Sequence, residues 1–159
     1  MPKIKIATVQ SKVEKSIEKN GNEIRKLIKK AKSKEAKVVH FCEGALSGYS
    51  KQHLINTEKI DFDKIRTELK KIQKLCKELK VWTVFGCVHE LSNGNRPHNS
   101  MYIISDKGEI KNRYDKRKCS HNELLNWYTP GFKKCNFEIE GIKFSCVLCI
   151  EIQLSLIHI

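Results

Sequence analysis

Apolar residues recur along this chain with two different periods. From Asn20 to Lys32 they fall at Ile24, Leu27, Ile28 and Ala31, spaced i, i+3, i+4, i+7, which predicts a helix with one apolar stripe. Asn20 is the expected N-cap; Val13 and Ile17 extend the stripe backwards, so the helix can start earlier despite Gly21. Phe62, Ile65, Leu69, Ile72, Cys76 and Leu79 step by three or four behind Asp61, predicting a second helix over 62–79 with Asp61 as cap. Between and after the helices the period shortens. Lys3–Val9, Lys37–Phe41 and Val81–Glu90 read as strands. Asn99–Ser105 and Glu109–Tyr114 flank the turn Asp106-Lys107-Gly108 and read as a hairpin, and 115–126 reads as irregular. Cys135–Glu140 and Gly141–Ile150 are two final strands meeting at Gly141. The order strand, helix, strand, helix, then several strands predicts a mixed α/β fold with helices packed on sheet.

Composition narrows the picture. At 159 residues the chain fits one domain, with 40% hydrophobic and 31% charged residues marking it as globular. No apolar run is long enough to span a bilayer, and MPKIKIATVQ lacks a signal peptide's apolar core, so no membrane association is expected and the default compartment is cytoplasmic. Seven cysteines in no disulfide framework are expected to be free thiols, mostly buried. The net charge of +13 raises nucleic acid as a partner. The sequence argues against it, because the lysines and arginines lie along helices without interleaved aromatics, as on solvated helix faces.

The segment Gly141–Glu151, GIKFSCVLCIE, carries two cysteines. Read as one strand, it puts Cys146 and Cys149 on opposite faces, three residues apart, where they cannot readily share a metal. No second pair at zinc spacing appears and no glycine-rich nucleotide motif is present, so neither metal nor cofactor is expected. A thiol needs a nearby base or positive charge to act as a nucleophile. In isolation Cys149 reads as core filler, Glu43 as a loop carboxylate, and Lys116 as one more solvated lysine.

Three blocks in order resemble the carbon–nitrogen hydrolase (nitrilase) superfamily: HFCEGALSGY around Glu43, GEIKNRYDKRK around Lys116, and GIKFSCVLCIE around Cys149. Asn99-Ser100, the DKGEI hairpin and the YTPG run at Tyr128–Gly131 support them. The resemblance implies an α-β-β-α sandwich and hydrolysis of a small-molecule amide or nitrile through a cysteine thioester. Glu43 would be the general base, Lys116 the oxyanion stabiliser with the backbone N–H of Ile150, and Cys149 the nucleophile. Glu123 is the best match for a second, assisting glutamate; a plain surface glutamate is the equal alternative. The family usually has proline at the position of Cys42, and histidine and leucine at those of Lys118 and Cys119. The superfamily commonly forms oligomers, so a homo-oligomer is expected for the complete enzyme. Two other function classes stand beside this one: a non-catalytic basic module that binds nucleic acid, and a family member that has lost activity.

The family continues past the nucleophile with further strands and helices. Here the resemblance holds to about Gln153, and 154–159, LSLIHI, reads as a foreign tail resembling translated adapter sequence. The expected architecture is therefore an incomplete nitrilase-like sandwich, its N-terminal part, in residues 1–153. Such a chain is expected to expose sheet edges and apolar faces, to aggregate, and to be inactive as written.

Overall fold

The computed structural model describes residues 3–92 and 94–153; the expected foreign tail lies outside the described residues. The elements run β1 (Ile6–Val9), α1 (Ile17–Lys32), β2 (Val38–Phe41), α2 (Phe62–Leu79), β3 (Trp82–His89), β4 (His98–Ile104), β5 (Ile110–Asp115), α3 (His121–Asn126), β6 (Asn136–Ile139) and β7 (Ile142–Ser145), then a 3-10 turn at Cys149–Gln153. Strands β1 to β5 form one sheet in sequence order, and β6–β7 form a separate hairpin. The first three strands are parallel, and β4 and β5 are antiparallel additions. Because β4 reverses direction and β5 reverses it again, β2, β3 and β5 all end at the same sheet edge. Loops at the carboxyl ends of such strands are where an α/β sheet gathers functional side chains.

Helices α1 and α2 cover one face. Ile24 and Ile28 of α1 and Ile65, Ile72 and Cys76 of α2 meet Val39, Phe41, Phe85, Tyr102 and Ile104 from the sheet. On the other face Val38, Val84, Met101, Ile103 and Tyr114 pack with Cys135, Ile139 and Leu148 from and around the β6–β7 hairpin. Strand β4 is buried along its whole length, with successive residues feeding the two cores, as the two-residue period of a strand requires.

Four expectations change. Helix α1 begins at Ile17 behind Ser16, whose side chain accepts from Lys19 N–H; Asn20 is not the cap. Asn20 is instead buried, bridging Glu14 and Leu46 with its amide. Gly21 is tolerated inside the helix because the Glu68 carboxylate of α2 occupies the space a Cβ would need, 2.1 Å away. The stretch 115–126 is not wholly irregular. Ser120 and Glu123 form a capping box that starts the short helix α3. The strand read over Gly141–Ile150 ends at Ser145, and Cys149 opens a 3-10 turn, so the argument from opposite strand faces does not hold for Cys146 and Cys149. Finally, the thiols are all free but not mostly buried. Cys76, Cys87 and Cys135 are buried, Cys119 and Cys146 half-buried, and Cys42 and Cys149 exposed.

One glycine fixes how the Glu43 loop sits. Gly86 of β3 donates its N–H to Cys42 O and accepts from Leu46 N–H, so the loop lies directly on the strand. A Cβ there would be 2.3 Å from Gly44 N and 2.6 Å from Glu43 Cα, both rigid backbone. Gly86→Ala is expected to destabilise the protein by about 1–3 kcal/mol, since an overpacked backbone contact has nowhere to relax. A thermal melt reads this directly; an unchanged midpoint would mean the loop moves freely.

Candidate active site

Glu43 leaves the end of β2 on the loop that Gly86 holds. Lys116 follows directly on β5. Its N–H donates to Asn99 O at 2.8 Å, and its own carbonyl accepts from Gly131 N–H at 2.8 Å. Gly131 must be a glycine here, because a Cβ would lie 2.3 Å from Asp115 O. Thus the YTPG run clamps the lysine's backbone, and Asn99 sits between the two candidate residues. Its side chain also donates to Glu43 Oε1, at 2.6 Å.

The Lys116 side chain is fully buried, and its ammonium is shared by two carboxylates. It donates to Glu43 Oε1 at 3.0 Å and to Glu123 Oε1 and Oε2 at 2.9 and 3.1 Å. Burial alone would push this ammonium down, but the hydrogen bonds and charges of Glu123 and Glu43 outweigh it and hold it above its ordinary value. Glu123 is likewise buried, which would raise its carboxyl; the Ser120 backbone N–H and Lys116 overcome that and hold it below the ordinary range. Its Oε1 also accepts from the Tyr49 hydroxyl at 3.1 Å. Burial and the nearby charges of Glu123 and Glu43 push that phenol up to about 12, so Tyr49 stays a hydrogen-bond donor. Glu43 Oε2 carries no protein partner among the described residues, which leaves one carboxylate oxygen available for a proton.

The two shifts predict how stability follows pH. Glu123 is depressed from about 4.5, so its contribution is present above that value and is lost as pH falls through the folded-state pKa. Lys116 is raised from 10.5, so its contribution is present below that value and is lost as pH rises through the folded-state pKa. The melting temperature is expected to hold across the interval and fall on the acid side, and Glu123→Gln should flatten the acid limb. An unaltered acid limb in that variant would remove Glu123 from the account.

The turn that carries Cys149 is tied to the chain just after Lys116. Cys149 is exposed and has φ 51°, a left-handed conformation that costs a non-glycine residue roughly 1–2 kcal/mol. The turn is held by Glu151, which is completely buried. Glu151 Oε2 accepts from Leu148 N–H at 2.7 Å, while Oε1 accepts from the N–H groups of Arg117 and Lys118 and from the Tyr114 hydroxyl. One carboxylate therefore fastens the cysteine's turn to the residues immediately after Lys116. Ile150, expected to supply a backbone N–H, is the second residue of that turn. Cys119 lies in the same neighbourhood, its thiol 3.8 Å from Lys116 O. Burial, then the charge of Glu123, push it up to about 11, so it remains a protonated thiol.

The structure thus joins Glu43, Lys116 and Glu123 directly, while Glu151 ties the turn that carries Cys149 to Arg117 and Lys118. Of the two readings of Glu123, the surface glutamate is excluded by its burial. The sequence did not single out Tyr49 as a partner of Glu123, or Glu151 as the anchor of the turn. The signal for Tyr49 was the GY pair after Glu43, and for Glu151 an acid in an otherwise apolar segment. Among the described residues no helix is long and apolar enough to cross a membrane.

A mixed parallel–antiparallel sheet with two helices on one face carries Glu43 after β2 and Lys116 after β5, and Cys149 lies in the turn after β7. The sequence matches the family model for carbon-nitrogen hydrolases over residues 5–157, and the chain belongs to that family. Among curated proteins it is similar to the glutamine-dependent NAD(+) synthetase of Acinetobacter baylyi, 27% identical over 144 residues, which span 86% of this chain and 25% of that protein. Among solved structures, an amidase from Nesterenkonia sp. superposes with a TM-score of 0.84 at 14% identity, covering 95% of this chain and 57% of the other. The glutamine-dependent NAD+ synthetase of Acinetobacter baumannii gives a TM-score of 0.80 at 22% identity, covering 96% of this chain and 29% of the other. In one structure of a variant of that amidase, the acetamide moiety of fluoroacetamide is bound covalently at the active-site cysteine. The chain therefore spans only part of the length of each of these relatives.

Proposed function

We propose that this domain hydrolyses the carbon–nitrogen bond of a small amide through a thioester on Cys149, with Glu43, Lys116 and Cys149 as the working triad. The observation that carries this is the Lys116 ammonium buried between Glu43 and Glu123, with the Cys149 turn fastened beside it by Glu151. A solvated lysine on a basic surface would not be fully buried against two carboxylates.

In this mechanism Glu43 Oε2 takes the thiol proton of Cys149, and the thiolate attacks the carbonyl carbon. Negative charge develops on the carbonyl oxygen, where the Lys116 ammonium and the Ile150 N–H stabilise it. Glu43 returns the proton to the departing amine. Water, deprotonated by the same carboxylate, then attacks the thioester carbon; the carbon–sulfur bond breaks, and Glu43 returns the proton to the Cys149 sulfur. Glu123 holds Lys116 in place and balances its charge, and Tyr49 orients Glu123. No metal or cofactor enters. That all seven cysteines are free fits a reducing, cytoplasmic setting.

The similarity to a glutamine-dependent synthetase favours a second, narrower reading, in which the amide is the side chain of glutamine and the released ammonia serves a second reaction. Ammonia release from acetamide, a longer aliphatic amide, a nitrile and glutamine, measured on the full-length protein, tests both. Turnover of an aliphatic amide supports the first reading and turnover of glutamine alone the second. If all four are inert and the protein shows salt-dependent binding to nucleic acid, the basic binding module replaces both.

A further inference from the structure

Cys135 and Cys146 stand at the open end of the β6–β7 hairpin, outside the machinery described above. The hairpin closes at Glu140-Gly141, both with positive φ, and its register pairs Ile139 with Ile142, Phe137 with Phe144 and Asn136 with Ser145. The next pair outward is Cys135 and Cys146, and Cys146 N–H donates to Cys135 O at 3.3 Å. The two-residue period puts both thiols on the face of Phe137 and Phe144, whose rings stack at 5.4 Å. Directly opposed, hydrogen-bonded residues of an antiparallel pair have Cα atoms about 5.5 Å apart, inside the range that a disulfide spans. Interaction with Cys146 holds the Cys135 thiol below its ordinary value, while Cys135 and burial push the Cys146 thiol up. A cavity of about 250 Å³, walled in part by Arg117, Lys134, Cys135 and Cys146, adjoins the pair and gives a small oxidant a place beside the sulfurs.

We propose that Cys135 and Cys146 are a redox-active thiol pair that hydrogen peroxide converts to a disulfide, stapling the open end of the β6–β7 hairpin three residues before Cys149. The Cys135 thiolate attacks one peroxide oxygen and the O–O bond breaks. The departing hydroxide takes up a proton to give water, and Cys135 becomes a sulfenic acid. Cys146 sulfur then attacks the Cys135 sulfur; the S–O bond breaks, and the Cys146 proton leaves with the hydroxyl as a second water. In sum, two thiols and one peroxide give one disulfide and two waters, and a dithiol reductant reverses the change. The pair's geometry stands independently of the hydrolase assignment.

The test treats the reduced full-length protein with equimolar hydrogen peroxide, quenches it in acid and alkylates the remaining thiols with N-ethylmaleimide under denaturing conditions. Tryptic peptides are then mapped without reduction. Lys143 separates the two cysteines, so a staple appears as two linked peptides, and fragmentation distinguishes a link to Cys146 from one to Cys149. The expected result is a Cys135–Cys146 link with loss of both maleimide adducts, restored by dithiothreitol. In Cys146→Ser, dimedone should instead label Cys135 as the trapped sulfenic acid. A peptide map in which Cys135 and Cys146 stay alkylatable while Cys149 is oxidised, or in which Cys135 links to Cys149, overturns the proposal. The wild-type map decides the matter even if the serine variant does not fold.

Discussion

Replacing Lys116 with methionine is expected to destabilise the protein by about 3–5 kcal/mol, because it strands buried carboxylates without their counter-charge. Methionine keeps the length and apolar stem of lysine, so the change isolates the ammonium. Among the described residues Glu123 would retain only Tyr49 and the Ser120 N–H, and Glu43 only the Asn99 amide. At roughly 2–4 °C per kcal/mol for a domain of this size, the melt should drop by roughly 6–20 °C. Combining Lys116→Met with Glu123→Gln removes the stranded charge and should recover part of the loss, giving a coupling energy of roughly 0.5–3 kcal/mol in a double-mutant cycle. Activity separates structure from chemistry. If Lys116 also stabilises the oxyanion, the double variant should regain stability while turnover stays down by roughly 10²–10³-fold. A Lys116→Met protein that melts like the wild type would contradict the buried pair itself.

The second large effect is on chemistry alone. Cys149→Ala is expected to lower amide turnover by roughly 10³–10⁶-fold, the range seen when a covalent nucleophile is removed. Stability should move by no more than about 0.5 kcal/mol, because the side chain is exposed and alanine pays the same conformational cost at positive φ. The contrast with Lys116→Met is informative. One residue is buried and holds the site together, and the other is exposed and contributes little to packing. A large loss of stability on replacing Cys149 would return it to the role of core filler.

Much of this arrangement was legible in the sequence, and what was not has physical causes. Helix α2 and its Asp61 cap stood out because an amphipathic helix with a cap repeats one signal over five turns. The β4–β5 hairpin was equally plain from its glycine turn. The start of α1 stayed open between Asn20 and an earlier residue because Gly21 looks like a breaker, and only the packing of Glu68 from another helix shows why it is not. Helix α3 was hidden because six residues carry too little periodicity; its capping box, Ser120 to Glu123, was the readable clue. Strand β7 was drawn too long because Val147, Leu148 and Ile150 continue an apolar run. Glu151 ends the strand by drawing backbone N–H groups towards a buried carboxylate, a long-range effect that local pattern does not contain.

The site divides in the same way. Glu43, Lys116 and Cys149 entered through the family resemblance, since position alone favoured a bland role for each. Their grouping depends on contacts between residues 73 positions apart in the chain for Glu43 and Lys116, which no local signal encodes. Asn99 was noticed only as a supporting mark, yet it touches both of them. Glu123 was an even choice between an assisting group and a surface glutamate, and its burial against Lys116 removes only the surface placement.

The central claim is that amide hydrolysis passes through an acyl group on Cys149. Intact-mass and peptide mass spectrometry on the full-length protein, quenched in acid during turnover of an amide, tests it most directly. The account predicts an acyl adduct on the peptide containing Cys149, placed at that residue by fragmentation and absent from Cys149→Ala. An adduct on Cys119 or Cys42, or sustained turnover by Cys149→Ala, would contradict it.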